Sequence, residues 1–404
     1  MKFKNDSTTK SVAFGFFGRL NGFFKKDKIS PNPQLFNYLK RSFIGSARQF
    51  DFKSRENNKK IDSFYEPLID SFQIIFNSND DQERYESLLL GGFDKKTDPY
   101  SSLAKVISNY SNIKHILIDC NGTKKFKNFF ENAKKCKSIK AVSISSLEMK
   151  KDLMSPLKSF SSENQITSVN FMKDSIKDIK LLNEYLSSQK FLKKVGLYSI
   201  KCISKDATSL FQTLGNLMHL SYLTLSNCNL TLDSIFQTLE SYMLPCLRIL
   251  DISNNKSSFS KIPNHVPNGL HHIYANGITW EGDSFVNFMK FICTRDWHGG
   301  MNLSLNKITL KSDSESDTTK ILNNSFDVIN SYPLFPLVFL SWDSNDSLLS
   351  EKFFEFLTLN KDLNYLSMNE CFINNDGHTI ELATKFASNT LPSLKKLMSL
   401  SITG

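Results

Sequence analysis

The sequence lacks the signatures of several common classes of protein. Its 404 residues contain no apolar run long enough to cross a membrane as a helix. The apolar stretch from Val12 to Phe17 is too short for a secretory signal, and Arg19 follows it closely. Glycine-rich phosphate loops and the paired histidines of zinc proteases are also absent. We therefore predict no transmembrane helix, no catalytic activity, no cofactor and no metal site.

Paired cysteines are missing as well. The chain has seven cysteines, an odd number, and no C-x-x-C pair occurs among them. This spacing is typical neither of a zinc site nor of a disulfide framework. We predict buried, reduced thiols and hence a cytoplasmic protein, because disulfides persist mainly in oxidising compartments.

Most of the chain lacks excess charge of either sign. The net charge is +10, yet residues 1–60 alone carry 14 Lys and Arg against 4 Asp and Glu. Residues 61–404 hold 36 basic and 36 acidic side chains and are neutral. Because phosphate binding needs a basic stripe, we predict no nucleic-acid partner for this neutral part.

A repeated leucine pattern organises the remainder of the chain. The stretch from Leu220 to Leu230 matches L-x-x-L-x-L-x-x-N/C-x-L at every fixed position. Leu223 and Leu225 alternate as in a short strand, so both point to one side. Cys228 lies where the chain turns away from the strand, and an Asn or Cys there can satisfy backbone groups inside the turn.

The same spacing recurs along the chain. The strong copies begin at Ile113, Ile139, Ile166, Leu192, Leu220, Leu247 and Leu363, and the weaker ones at Leu270, His298, Leu337 and near Leu394. Seven of the ten steps between these starts are 26–28 residues long. Self-similarity at this period indicates a leucine-rich repeat array.

Amphipathic helix patterns follow the predicted strands, for example over 179–186 and 285–292. We predict an α/β leucine-rich repeat solenoid, a horseshoe with a parallel β-sheet on its concave side and helices on its convex side. Apolar positions of helical spacing in 35–47 and 64–76 predict a helical region that caps the array. The predicted parts are a basic aromatic segment, 1–30, a helical capping region, 31–112, and about eleven repeats, 113–404.

Three places depart from the regular pattern. Between Lys256 and Gly269, Pro263 and Pro267 forbid a normal helix, which predicts an extended or 3₁₀ convex side there. The Ser- and Asp-rich insertion at 311–319 predicts an exposed loop. The pattern stops at Ser399 to Gly404 without a polar cap, so we expect either a longer natural chain or a partner over the last strand.

The N-terminal segment combines aromatic and basic residues. One interpretation is a segment that lies on an anionic membrane surface, through Phe16, Phe17, Phe23, Phe24, Lys25 and Lys26. The other is a tail, or a helix that docks on the open end of the solenoid. The sequence alone leaves both interpretations open.

The concave face is the predicted binding surface. Residues that lie two, four and six places after each repeat start should point out of the sheet there. They are rich in Tyr, Ser and Asn and nearly uncharged, a composition that suits a protein partner. The candidate residues are Tyr198, Tyr222, Thr224, Asp251, Tyr274, Asn276, Asn302, Tyr365 and Asn369.

The repeats from about Ile113 to Leu400 resemble those of ribonuclease-inhibitor-type leucine-rich repeat proteins. Within this class, Leu220–Leu230, Leu247–Asn255 and Leu270–Trp280 make the layout similar to the CARMIL family of actin capping-protein regulators. The resemblance implies a membrane-binding domain before the repeats and a disordered tail after them. Here the first 60 residues are too short for such a domain, and the sequence has no such tail.

These observations predict a non-enzymatic, intracellular scaffold that binds protein partners through its concave face. One alternative is a membrane-associated, CARMIL-like adaptor of the actin cytoskeleton that contacts anionic membrane through residues 1–60. Another is a GTPase-activating repeat protein, which would need an exposed Asn or Arg at an edge of the array. The sequence does not identify the partner or the oligomeric state.

Overall fold

The computed structural model describes residues 49–53, 87–91, 114–119, 126–145, 150–173, 175–242, 244–311, 315–373 and 376–403. The chain forms two compact units, Met1–Lys194 and Val195–Gly404. In both of them parallel strands alternate with helices, and the fold is an α/β leucine-rich repeat solenoid.

The first unit contains five parallel strands in chain order. They are β1 (Gln49–Lys53), β2 (Ser87–Gly91), β3 (His115–Asp119), β4 (Ala141–Ser145) and β5 (Ser168–Met172). Its helices are α1 (Phe126–Ala133), α2 (Lys151–Asn164) and α3 (Ile179–Ser187). The registers align Ile116, Val142 and Val169 at one inward position, and all three are fully buried.

The second unit continues the same alternation. Its sheet contains β6 (Lys194–Tyr198, from the unit boundary), β7 (Tyr222–Ser226), β8 (Ile249–Asp251), β9 (His272–Tyr274), β11 (Met301–Ser304), β13 (Leu337–Ser341), β14 (Tyr365–Ser367) and β15 (Ser399–Ser401). Its α-helices are α4 (Ala207–Gly215), α5 (Leu232–Tyr242), α6 (Gly282–Cys293), α7 (Glu315–Ile329), α8 (Glu351–Leu359) and α9 (Gly377–Lys385). Two short strands, β10 (Thr279–Trp280) and β12 (Thr309–Leu310), pair separately.

In four repeats of the second unit the turn after the strand is held by the Asn or Cys that the repeat pattern places there, namely Cys228, Asn255, Asn345 and Cys371. Asn255 Oδ1 accepts from the Cys228 and Leu230 N–H groups at 3.1 and 3.2 Å, and its Nδ2 donates to the Leu225 carbonyl at 2.6 Å. Cys228 Sγ donates to the Leu197 carbonyl at 3.3 Å. The predicted role of this position is therefore confirmed.

The eighth residue of the repeat, counted from the first leucine, has a left-handed backbone in six repeats of the second unit. The φ angle lies between 53° and 58° at each of them: Ser199, Asn227, Asn254, Lys307, Ser344 and Glu370. Each of their N–H groups donates to a carbonyl of the following repeat. This bend turns the chain out of the sheet and continues the hydrogen-bond ladder past the strand ends.

Aromatic rings fill the layer between sheet and helices in the second unit. As predicted, no helix forms between Lys256 and Gly269, and Phe259 fills the layer instead. Its ring lies 5.3 Å from Phe236, 5.8 Å from Phe288 and 5.9 Å from Phe291. The three tryptophans, Trp280, Trp297 and Trp342, are at most 5% exposed.

Several predictions need correction. Strand register places the first position of two weak repeats at Gly300 and Leu397, rather than at His298 and near Leu394. Helix α7 already begins at Glu315, within the predicted loop at 311–319.

Strands β1 and β2 lie inside region 31–112, where we predicted helices. Short apolar runs such as Ser-Leu-Leu-Leu-Gly at 87–91 have no period that separates strand from helix. The predicted helices over 35–47 and 64–76 lie outside the described residues, so the domain boundaries stay a prediction.

Candidate functional site

The candidate site is the face of the second unit's sheet that points away from the helices, here called the open face. It is formed by positions 3, 5 and 7 of each repeat, counted from the first leucine. Strand register aligns the position-3 residues in one row: Tyr222, Ile249, His272, Asn302, Phe339 and Tyr365. The position-5 row is Thr224, Asp251, Tyr274, Ser304, Ser341 and Ser367. These rows bring together most of the predicted binding residues.

Four of the predicted residues form a group at the β6–β9 end, here called the tyrosine–aspartate cluster: Tyr198, Tyr222, Asp251 and Tyr274. Asp251 lies beside Tyr274 on the next strand and one strand from Tyr222. All four side chains are half-buried. Thr224, also a predicted binding residue, is fully buried at the centre of this end of the face. It is therefore covered by its neighbours and is not a contact residue.

Electrostatics link the members of the cluster. Burial first, and then nearby Tyr198, Asp251 and Tyr274, raise the pKa of Tyr222 to about 12. Burial also raises the pKa of Tyr274, with a second contribution from the charge of Asp251. Both phenols therefore stay neutral at physiological pH, and Asp251 is the member that brings charge to the cluster.

Aromatic side chains continue along the face. The His272 ring stacks on Tyr274, with centroids 4.2 Å apart, and lies 6.1 Å from the Phe339 ring. Phe339 in turn lies 6.3 Å from Tyr365, which is 43% exposed. Burial, and then the charge of His271, lower the pKa of His272, so this ring is neutral at pH 7. This part of the face is aromatic and uncharged.

A regular hydrogen-bond ladder occupies the β9–β15 side of the face. Asn276 Oδ1 accepts from Ser304 Oγ at 2.8 Å and from the Asn306 N–H at 2.7 Å. Asn306 Oδ1 accepts in the same way from Ser341 Oγ and the Asp343 N–H, both at 2.8 Å.

The ladder continues across the last strands. Asp343 Oδ1 accepts from Ser367 Oγ and the Asn369 N–H, both at 2.7 Å. Asn369 Oδ1 accepts from Ser401 Oγ at 2.9 Å and Thr403 Oγ1 at 3.0 Å. We call this arrangement the hydroxyl–amide ladder.

The ladder separates the predicted polar residues into two kinds. The Oδ1 atoms of Asn276 and Asn369 are already engaged, so these residues mainly join neighbouring strands. Asn302 has no side-chain hydrogen bond to the part of the chain that the structure describes, and it is half-buried between His272 and Phe339. Sequence reasoning missed the ladder, although the quartets Leu-Ser-Leu-Asn at 303–306, Leu-Ser-Trp-Asp at 340–343 and Leu-Ser-Met-Asn at 366–369 encode it.

The first unit presents a different polar group on its own sheet face. His115 Nε2 lies 2.9 Å from Ser143 Oγ, to which Asn170 Nδ2 donates at 2.8 Å. Burial, followed by the charge of Lys194, lowers the pKa of His115. The predicted membrane-contact residues Phe16, Phe17, Phe23, Phe24, Lys25 and Lys26 lie outside the described residues.

Metal sites, membrane-spanning helices and grooves were also sought among the described residues. Within the described ranges no three His, Cys, Asp or Glu side chains converge to hold a metal ion. No helix in those ranges is long and apolar enough to cross a membrane. A shallow groove of about 520 Å³ lies beside Trp297, Gly300 and Phe335 at the strand-entry edge of the second unit. Its Asp362 is already ion-paired with Lys396.

No protein-family model matches the sequence. Nor does any curated protein match it at a significant level. Among solved structures, an internalin from Listeria monocytogenes is similar over 83% of this chain and 90% of its own, with 14% identity and a TM-score of 0.40. A protein from Bacteroides fragilis is similar over 52% of this chain and 68% of its own, with 10% identity and a TM-score of 0.34. At these scores the fold assignment rests on the repeat register and on the buried Asn and Cys positions.

Proposed function

We propose that the protein is a non-enzymatic scaffold that binds a protein partner through the open face of the second unit. The observation that carries the proposal is the position-3 row, in which aromatic side chains from Tyr222 to Tyr365 remain partly exposed. The row crosses five strand intervals of about 4.8 Å and therefore extends over about 24 Å. This is long enough for an extended segment or a helix of a partner.

The composition of the face supports a protein partner. Tyrosine and phenylalanine supply a large contact area at a low cost in side-chain entropy. In the hydroxyl–amide ladder beside them the Oδ1 atoms of Asn276, Asn306, Asp343 and Asn369 already accept hydrogen bonds, so a partner can cover these acceptors without leaving them unpaired. Apart from Lys194 at the unit boundary, no Lys or Arg occupies positions 3, 5 or 7 of the described repeats in this unit, which disfavours nucleic acid.

The test places a photo-crosslinking phenylalanine analogue at Tyr365, and in a control chain at Val328, which is exposed on helix α7. Capture at position 365 but not at 328 identifies partners that contact the open face. A purified partner should then lose at least tenfold in affinity for a chain with Tyr222→Ala, Tyr274→Ala and Tyr365→Ala.

The matched control for that chain carries Met218→Ala, Val328→Ala and Ile380→Ala, which remove exposed apolar side chains away from the open face. Its affinity should stay within about twofold of the unchanged chain. Thermal melting of both variants checks that the fold persists. Equal loss in the two triple variants, or crosslinking at 328 alone, contradicts the proposal.

We also propose a reducing, cytoplasmic location. Six cysteines are free among the described residues, and five of them are buried. A partner protein of the cytoskeleton is the more specific form of the proposal, and it rests on the sequence resemblance alone. A GTPase-activating role has less support. Arg295, a half-buried arginine near the strand-entry edge, instead donates to the Pro263 carbonyl at 2.8 Å.

A membrane-associated adaptor is the second candidate function, and the observation that favours it is the charge of +10 in residues 1–60. The full chain should sediment with phosphatidylserine vesicles and not with phosphatidylcholine vesicles, and salt should release it. Lys25→Gln with Lys26→Gln should weaken sedimentation, whereas Lys395→Gln with Lys396→Gln should not. Sedimentation that is independent of salt and vesicle charge contradicts this candidate.

A further inference from the structure

We propose that the tyrosine–aspartate cluster is a pocket for a basic side chain, and that the partner segment on the open face inserts an arginine there. This inference rests on the proposed function and adds the chemistry of the partner. It concerns Tyr198, Tyr222, Asp251 and Tyr274, which strands β6 to β9 bring together on one face.

The first argument is the state of the Asp251 carboxylate. It is half-buried, and its Oδ1 accepts from the Ser253 N–H at 3.0 Å. Its other oxygen has no donor among the residues that the structure describes, and no described basic side chain forms an ion pair with it. A partly desolvated carboxylate without a cation favours the approach of one.

The second argument is the aromatic surroundings of that carboxylate. Tyrosine rings attract cations over their faces, and the attraction grows as water is excluded. One face of the half-buried Tyr274 ring stacks on His272, so a guanidinium would have to stack on the other face. Arginine fits this environment better than lysine, because a planar guanidinium can stack on a ring while its fork pairs with a carboxylate.

The third argument is the contrast with Asp343, the other acidic residue at positions 3, 5 and 7 of this unit's described repeats. Its Oδ1 accepts two hydrogen bonds within the ladder, and its Oδ2 lies 3.1 Å from Ser341 Oγ, whose single proton it shares with Asn306 Oδ1. Asn fills the same position in the ladder at 276, 306 and 369. Asp343→Asn therefore removes an equal charge from the same face while keeping its strand-joining role.

The test selects an unbiased peptide library displayed on phage against the immobilised full chain. We expect the selected peptides to share an arginine, and replacement of that arginine by glutamine should weaken binding about tenfold. Asp251→Asn should weaken the original peptide to a similar degree. Asp343→Asn should change its affinity by less than about twofold.

A double-mutant cycle makes the assignment specific. If the arginine contacts Asp251, the glutamine peptide should bind the Asp251→Asn chain no more weakly than it binds the unchanged chain. Additive losses, or equal effects of Asp251→Asn and Asp343→Asn, overturn the inference.

The outcomes also separate this inference from the proposed function. Selected peptides without a shared basic residue contradict the arginine pocket only. If no peptide is selected, or if Tyr222→Ala, Tyr274→Ala and Tyr365→Ala together leave peptide binding unchanged, the proposed function fails and this inference fails with it. Melting curves of each variant confirm that folded chains are compared.

Discussion

Removal of the Asn255 side chain should reveal how much one turn position stabilises the solenoid. Its amide makes four short hydrogen bonds, from the Cys228 and Leu230 N–H groups to Oδ1 and from Nδ2 to the Leu225 and Ile252 carbonyls. All of these bonds are buried. A net contribution of about 1 kcal/mol for each predicts a loss of about 3–4 kcal/mol in Asn255→Ala.

A graded series tests the reasoning more sharply than one substitution. In Asn255→Cys the thiol can donate to the Leu225 carbonyl, as Cys228 does to Leu197 and as Cys371 does to Trp342 at 3.0 Å. A thiol replaces one donor but neither acceptor role, so the loss should shrink to about 2–3 kcal/mol. Asn302→Ala removes an amide without side-chain hydrogen bonds to described residues and should cost less than about 1 kcal/mol.

Urea unfolding followed by circular dichroism measures these losses, and hydrogen exchange locates them. The Cys228 and Leu230 amides should exchange faster in both Asn255 variants and remain protected in the Asn302→Ala control. A loss below about 1 kcal/mol in Asn255→Ala, or equal losses in the Ala and Cys variants, would refute the four-bond account.

Three further predictions concern other parts of the second unit. Lys307→Gly should raise stability by about 0.5–1 kcal/mol in urea unfolding, because Lys307 holds φ at 53° and glycine adopts that region without a steric penalty. Phe259→Ala should cost about 3–5 kcal/mol by the same measurement, because the fully buried ring fills the layer where a helix is missing. Burial raises the pKa of Asp233, but hydrogen bonds from the Lys261 and Ser260 N–H groups and from the Ser258 and Ser260 hydroxyls outweigh it, so the pKa lies below its usual range. The stability from Asp233 is therefore present above about pH 4 and is lost as the pH falls through the lower folded pKa. Asp233→Asn should flatten the fall in melting temperature below about pH 4.

The regular repeats could be predicted from the sequence because their leucines recur at a fixed spacing and are the residues that the core buries. Leu223 and Leu225 are fully buried at the two inward strand positions, and Asn255 and Cys228 hold the turns as the pattern requires. Weak repeats were misplaced where the first leucine is replaced, as at Gly300, because only strand pairing with His272 fixes that register. The error in register was two residues, and strand side chains alternate with a period of two, so Asn302 was still predicted to lie on the open face.

The open face was predictable in outline and not in detail. Periodicity places Thr224 and Tyr222 on the same side of a strand, but the burial of Thr224 depends on the size of its neighbours on other strands. Likewise, the sequence of each single strand suggests that Asn276 and Asn369 are free polar groups. Only the adjacent repeat supplies the serine or threonine hydroxyls that occupy their oxygens. Contacts between repeats decide which polar groups remain for a partner.

The hydroxyl–amide ladder does not extend to strands β7 and β8, and this explains why we expect a polar contact with the partner at the β6–β9 end of the open face. The ladder needs Asn or Asp at position 7, which Asn276, Asn306, Asp343 and Asn369 supply. At the ends of β7 and β8 that position holds Ser226 and Ser253. The acidic residue of this end, Asp251, lies at position 5 instead. The β9–β15 side thus offers aromatic side chains beside Oδ1 atoms that already accept hydrogen bonds. The β6–β9 side offers the Asp251 carboxylate, of which only Oδ1 accepts a hydrogen bond from a described residue. A partner should therefore place its apolar residues along Phe339 and Tyr365 and its cation at Asp251.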